Sequence, residues 1–161
     1  MSTMTARKFA AAFALALGAP LVMAQAAPYG APIDLATAKK VAAAAVAEAD
    51  KIKIPMVVAV TDAAGDLVYL EKMDGAQTSS VKTAGSKAHT AANYKRPTKV
   101  FQDILAGGGD GLRVLTLEGV VAIEGGIPLV VGGKIVGAIG TSGGNATQDG
   151  QVAKAGAAVV N

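Results

Sequence analysis

The chain has no cysteine, and it has a single histidine, His89. Without thiols there can be no disulfide, no cysteine nucleophile and no haem attached through Cys-x-x-Cys-His. One imidazole alone also falls short of the ligand set of a structural zinc site. Aromatic residues make up only 4% of the sequence, although hydrophobic residues reach 52%. The core material is therefore alanine, valine and glycine, which lets helices lie close to a sheet but lines deep cofactor cavities poorly. No basic cluster interleaved with aromatics occurs, so nucleic acid is not an expected partner. The main apolar run, Phe9 to Ala19, is shorter than the roughly 20 residues that span a bilayer. A stable membrane span is not expected.

What is present begins with that run. Arg7 and Lys8 precede it; Pro20 and a small-residue site at Val22-Met23-Ala24 or Ala24-Gln25-Ala26 follow it. This is the pattern of a secretory signal peptide over residues 1–26, and its alternative is an N-terminal anchor. The expectation is a periplasmic or secreted protein with one domain over residues 27–161. Removal of the leader leaves 13 basic and 12 acidic residues, so much of the positive charge belongs to the leader.

Past a proline-rich lead-in, Asp34 is a good N-cap for a helix through about Lys51, with Leu35, Ala38, Val41, Ala42, Ala45 and Ala49 on one stripe. Met56 to Val60 is a continuous apolar run, as in a strand covered on both faces. Asp62-Ala63-Ala64-Gly65-Asp66 supplies a turn into a partner strand, Leu67 to Met73. A central helix follows, capped near Thr78 or Ser79. Its expected buried stripe is Val81, Gly85, Ala88 and Ala92, with His89 at the border and Lys87, Thr83 and Thr90 towards solvent. Arg96-Pro97 ends it, and Thr98 caps a short helix from Lys99 to Leu105. Residues 112–118 read equally as helix or strand. Three strands are expected at 120–124, 127–131 and 134–141, then a last helix from Thr147 to Val159. The sum is an α+β layout, a central antiparallel five-stranded sheet flanked by helices.

The chemistry-bearing residues are few. Gly132-Gly133-Lys134 lacks the Ser or Thr of a phosphate loop and precedes a strand, not a helix. Ser86 lies near His89, but there is no Gly-x-Ser-x-Gly elbow. His89 itself reads either as a structural or solvated group or as a metal ligand, for which imidazole is apt. Haem iron also accepts methionine or tyrosine, which admits Met73, Tyr69 and Tyr94; core packing is the other account of Met73.

Met73-Asp74-Gly75-Ala76, Lys87-Ala88-His89-Thr90-Ala91, Gly125-Gly126-Ile127-Pro128-Leu129 and Ile135 through Gly144 together resemble the GlcG/HbpS family of haem-binding proteins. The motifs follow one another in order along essentially the whole mature chain. The resemblance implies a profilin-like α+β domain that assembles into a homo-oligomer, octamers being known in the family. It implies haem as cofactor, in some members extracellular and tied to redox sensing with a two-component partner. Related domains are fused to corrinoid adenosyltransferases or encoded beside glycolate oxidase genes. The alternative function is thus an accessory protein or enzyme that binds a small organic acid of the glycolate type, held by Lys87, Arg96 and the Gly143-Gly144 turn. For haem, the resemblance points to His89 and Thr90 as neighbouring candidates for the axial position, His89 being the metal ligand peculiar to this sequence. Lys82, Lys87 and Arg96 are candidate partners of the propionates; a solvated helix face is the other reading of all three.

Overall fold

The computed structural model describes residues 26–161. The leader expected at residues 1–26 therefore lies, but for Ala26, outside the described residues. Helix α1, Leu35–Lys51, starts where Asp34 accepts a hydrogen bond from Thr37 N at 2.7 Å. Its buried positions are Ala38, Val41, Ala42, Ala45 and Ala49, and all of them belong to the expected stripe. Strands β1, Val57–Asp62, and β2, Leu67–Lys72, form an antiparallel hairpin. Helix α2, Ser80–Tyr94, and helix α3, Thr98–Ala106, follow. A 3-10 helix covers Gly109–Thr116, which resolves the ambiguous stretch. Strands β3, Gly126–Val131, and β4, Lys134–Ser142, make the second hairpin, and α4, Ala146–Ala157, closes the chain.

The sheet is antiparallel with strand order β2-β1-β4-β3. It has four strands where five were expected. The missing strand is 120–124, and the cause lies in its backbone donors. Val121 N–H donates to Thr90 Oγ1 and Glu124 N–H to the Gln102 side chain. Side chains from α2 and α3 thus take donors that a strand would have spent on a ladder. Thr98 does not cap α3 either; its hydroxyl accepts from Gly126 N and ties the helix to β3.

β1 is buried on both faces. Val58 and Val60 meet α1 and α4, whereas Val57 and Ala59 meet α2. Each such buried valine is worth roughly 1.5–3 kcal/mol relative to exposure. Helix α2 owes its seat to small residues. Ala59, Gly140 and Gly126 are register partners across three strands, and α2 lies directly over them. A Cβ added at Gly140 would strike the Ala84 carbonyl and Ala88 N, and one at Gly126 would strike the Lys87 carbonyl.

That close approach also orients the helix. Its buried residues are Ser80, Ala84, Lys87, Ala88, Thr90, Ala91 and Ala92. The buried face is turned by about a quarter turn from the stripe centred on Val81 and Gly85. Lys87 and Thr90, expected towards solvent, lie inside, and His89 moves from the border to the exposed face.

Candidate functional site

The outward face of α2 carries Lys82, Gly85, Ser86 and His89 at helical spacings of three and four. Opposite them, β2 offers Leu67 and Leu70. These two residues would normally point to opposite sides of the sheet. A bulge pairs Val60 with Tyr69 and Thr61 with Leu67, which restores both leucines to the α2 side. With Thr61, Gly65, Val81 and Gly119, the two walls enclose a cleft of about 530 Å³. The cleft is open to solvent. Leu67 is 58% exposed, and Lys82 and His89 also reach its open side.

The imidazole of His89 is held in one orientation. Nδ1 lies 3.2 Å from Gly65 O, and Nε2 lies 3.0 Å from Asn93 Nδ2. The same Asn93 amide nitrogen donates to His89 O at 3.1 Å, one helical turn back. A donor must face that carbonyl, so the amide group turns its NH2 towards the ring, and Nε2 accepts. The tautomer follows: Nδ1–H donates to Gly65 O, and the lone pair sits on Nε2. Gly65 makes this possible. Its φ is +89°, and a Cβ there would come within 2.7 Å of His89 Nδ1 and 2.5 Å of Asn93 Nδ2.

The other expected site residues are placed elsewhere. Lys87 is 1% exposed. Its Nζ lies 2.6 Å from Asp149 Oδ2 and 3.0 Å from Thr141 O, beneath the helix. The second oxygen of Asp149 accepts from Gly143 N at 3.1 Å and Gly144 N at 2.9 Å. The cradle expected for a small organic acid, Lys87 with the Gly143-Gly144 turn, thus exists, and the carboxylate in it is the protein's own. Thr90 is buried under the 117–121 loop. Its hydroxyl is 2.8 Å from Ser86 O and 3.0 Å from Gly119 O, and it accepts from Val121 N. Arg96 lies beyond the end of α2. Its Nε donates to Tyr94 O, and its guanidinium is 5.8 Å from the Phe101 ring, outside the cleft. Of the five expected residues, only His89 and Lys82 share the cleft.

The alternative iron ligands have partners of their own. Met73 Sδ accepts from Met56 N, and Tyr94 donates to Glu118 O. Tyr69 donates to Glu71 Oε2 at 3.0 Å, which raises its phenol above the ordinary tyrosine pKa because ionisation would break that bond.

Residues 33–158 match the family described as "Haem degrading protein HbpS-like". The chain belongs to the HbpS-like family. Over 105 residues it is 38% identical to GlcG of Escherichia coli K12, which is 65% of this chain and 77% of that protein. A double mutant of HbpS from Streptomyces reticuli matches with a TM-score of 0.75 at 31% identity, covering 93% of this chain and 99% of that one. The crystal structure of a PduOC:heme complex matches with a TM-score of 0.72 at 30% identity, covering 81% and 96% respectively. The family and the antiparallel α+β architecture expected from the four motifs both hold.

In this HbpS-like domain, sequence reasoning missed Asn93, Gly65 and the two leucines of β2. Asn93 was findable, because asparagine four residues beyond the one histidine on a helix falls within hydrogen-bond reach. The leucines were not, since the bulge that aligns them is a property of the paired strands.

Proposed function

We propose that the cleft between α2 and β2 binds haem, with His89 Nε2 as the axial ligand and Lys82 as the partner of a propionate. The observation that carries this reading is the state of the imidazole. A metal-binding histidine typically donates its other ring N–H to a carbonyl or carboxylate, which fixes the tautomer and raises ligand basicity. His89 has the tautomer for that arrangement: Nδ1–H donates to Gly65 O, and the Nε2 lone pair, which accepts from Asn93 here, is the one the iron would take in its place. Leu67, Leu70 and Val81 supply apolar wall for a porphyrin face, and Lys82 supplies a charged donor at the rim. The haem would bring its own iron chemistry. The protein's part is to bind, to orient and to hold one nitrogen in place. The reading is of a binding protein in haem or iron handling or redox sensing.

The haem complex of the PduOC neighbour and the family description support the ligand class. The basic and apolar leader of residues 7–19 supports export to the periplasm or beyond. Leu112 at 53%, Leu115 at 71% and Ile123 at 45% exposure supply apolar surface for a homo-oligomer, up to the octamer.

Titration of haem into purified residues 27–161 tests the site. A saturable Soret shift is expected, and His89→Ala should weaken it at least about tenfold if one coordinate bond of a few kcal/mol is lost. A Soret shift identical in wild type and His89→Ala would remove His89 from the role. No shift in either protein would remove haem. Mass measurement of the chain recovered from a bacterial periplasm checks the leader, and sedimentation checks the assembly.

A further inference from the structure

A second hollow, sharing no lining residue with the haem cleft, lies between α3, the turn before β3, and α4. Its volume is about 230 Å³, and its walls include Pro97, Val100, Ile127 and Gly150. At its floor is Glu124, whose side chain is 10% exposed. The backbone of Glu124 is anchored by Gln102, but among the described residues its carboxylate accepts no hydrogen bond. The nearest cation, Lys154 Nζ, is 3.8 Å away on a side chain that is 69% exposed, which is too far for a hydrogen bond. Glu124 is mostly enclosed, but its carboxylate oxygens still touch solvent, so their acceptor sites are open to a donor that enters the hollow. The rest of the lining is apolar or glycine except for Lys99 and Asp103, and Lys99 Nζ is already paired with Asp103 at 2.7 Å.

We propose that this hollow is a binding site for a small primary ammonium carried on an apolar body. The ammonium would donate to Glu124, and the body would lie against Val100, Pro97 and Ile127. A carboxylate at the floor selects the cation by charge. A neutral donor of the same shape lacks that selection, and an acid is repelled. Lys154 competes weakly from the rim, as a screened surface charge does.

Benzylamine is the probe, followed through the backbone amide resonances of Gly125, Gly126 and Gly150 in the whole folded chain. Saturable shifts at low-millimolar amine are expected. Benzyl alcohol should bind about tenfold more weakly, the difference made by one charge-assisted hydrogen bond. Glu124→Gln should erase the preference for amine over alcohol, and Lys154→Ala should tighten amine binding at low salt. Val100→Trp, which fills the hollow from its exposed wall, should abolish both ligands. His89→Ala should change nothing, which separates this site from the haem cleft. Equal binding of amine and alcohol to the wild-type protein overturns the proposal, even if no variant folds. So does a preference that survives Glu124→Gln. Shifts at the same amides that grow with protein concentration alone, without amine, also overturn it, because the occupant would then be a lysine from a second copy.

Discussion

Lys87 and Asp149 form a buried pair whose disruption can be sized from its surroundings. The two side chains are 1% and 5% exposed, with Nζ 2.6 Å from Oδ2. Lys87→Met removes the cation and keeps the stem. Asp149 is then left as a buried carboxylate with Gly143 N–H and Gly144 N–H as its only donors, and Thr141 O loses the ammonium. Breaking a buried pair by removing one partner costs about 3–5 kcal/mol. With a urea m-value of about 2 kcal/mol/M, the midpoint of unfolding should fall by about 2 M at fixed protein concentration. Asp149→Asn should cost a comparable amount, because it strands the buried ammonium without its counter-charge, although the amide oxygen still serves the two glycine donors. The double variant Lys87→Met/Asp149→Asn should cost clearly less than the two single losses combined. The introduced amide would still offer an oxygen to Gly143 and Gly144, and no buried charge would remain. A single-variant loss below about 1 kcal/mol would refute the reasoning, because it would mean that Lys87 is not enclosed as described. Strict additivity in the double variant would refute the coupling.

Four further outcomes follow from other contacts. Asn93→Ala frees His89 Nε2 from its amide donor and should tighten haem binding several-fold in a Soret titration. Loss of binding would instead make Asn93 part of the ligand contact. Gly65→Ala forces a side chain into a residue at φ +89° and against the His89 ring. It should lower thermal stability by about 1–3 kcal/mol and weaken haem binding in the same preparation. Gly140→Ala drives a methyl into the backbone of α2 and should destabilise by about 1–3 kcal/mol or more, measured by urea unfolding. Glu71→Gln removes the carboxylate that holds the Tyr69 phenol above its ordinary pKa. A difference absorbance titration should therefore show Tyr69 ionising at lower pH in the variant. Because the folded-state pKa is raised, wild-type stability should begin to decline only as alkaline pH passes the ordinary tyrosine value, where the unfolded chain ionises first.

The fold was legible where side chains had weight. The stripe of α1, the doubly covered β1 and the two hairpins were all read from residue type and spacing, and the Asp34 cap with them. The α2 helix was located correctly but rotated wrongly. Its face is written almost entirely in alanine, glycine and hydroxyl residues, and a wheel drawn on such residues has no heavy side. What turns the helix is outside it: Gly140 and Gly126 let it sink onto the sheet, and Asp149, 62 residues away from Lys87 in the chain, rewards one face for carrying a lysine. The same cause removed the fifth strand. Residues 120–124 have strand composition, but Thr90 and Gln102 claim their donors, and neither claim is visible from the segment itself.

The rotation of α2 is what joins structure to proposed function. Lys87 and His89 are two residues apart, so a helix that points one inward must point the other nearly outward. The buried pair with Asp149 therefore sets the azimuth of the imidazole as well as stabilising the fold. On the outer face, Gly65 O then holds the ring through Nδ1–H, while Asn93 occupies Nε2 until a ligand takes its place. A ligand nitrogen needs such immobility, because a coordinate bond formed from a freely rotating exposed side chain loses part of its strength to ordering. If Lys87 fixes the azimuth, Lys87→Met should weaken haem binding under conditions where the variant is still fully folded, although Lys87 touches no part of the cleft. Full affinity in a folded Lys87→Met protein would mean that the Gly65 carbonyl alone positions His89, and that the inner pair serves only stability.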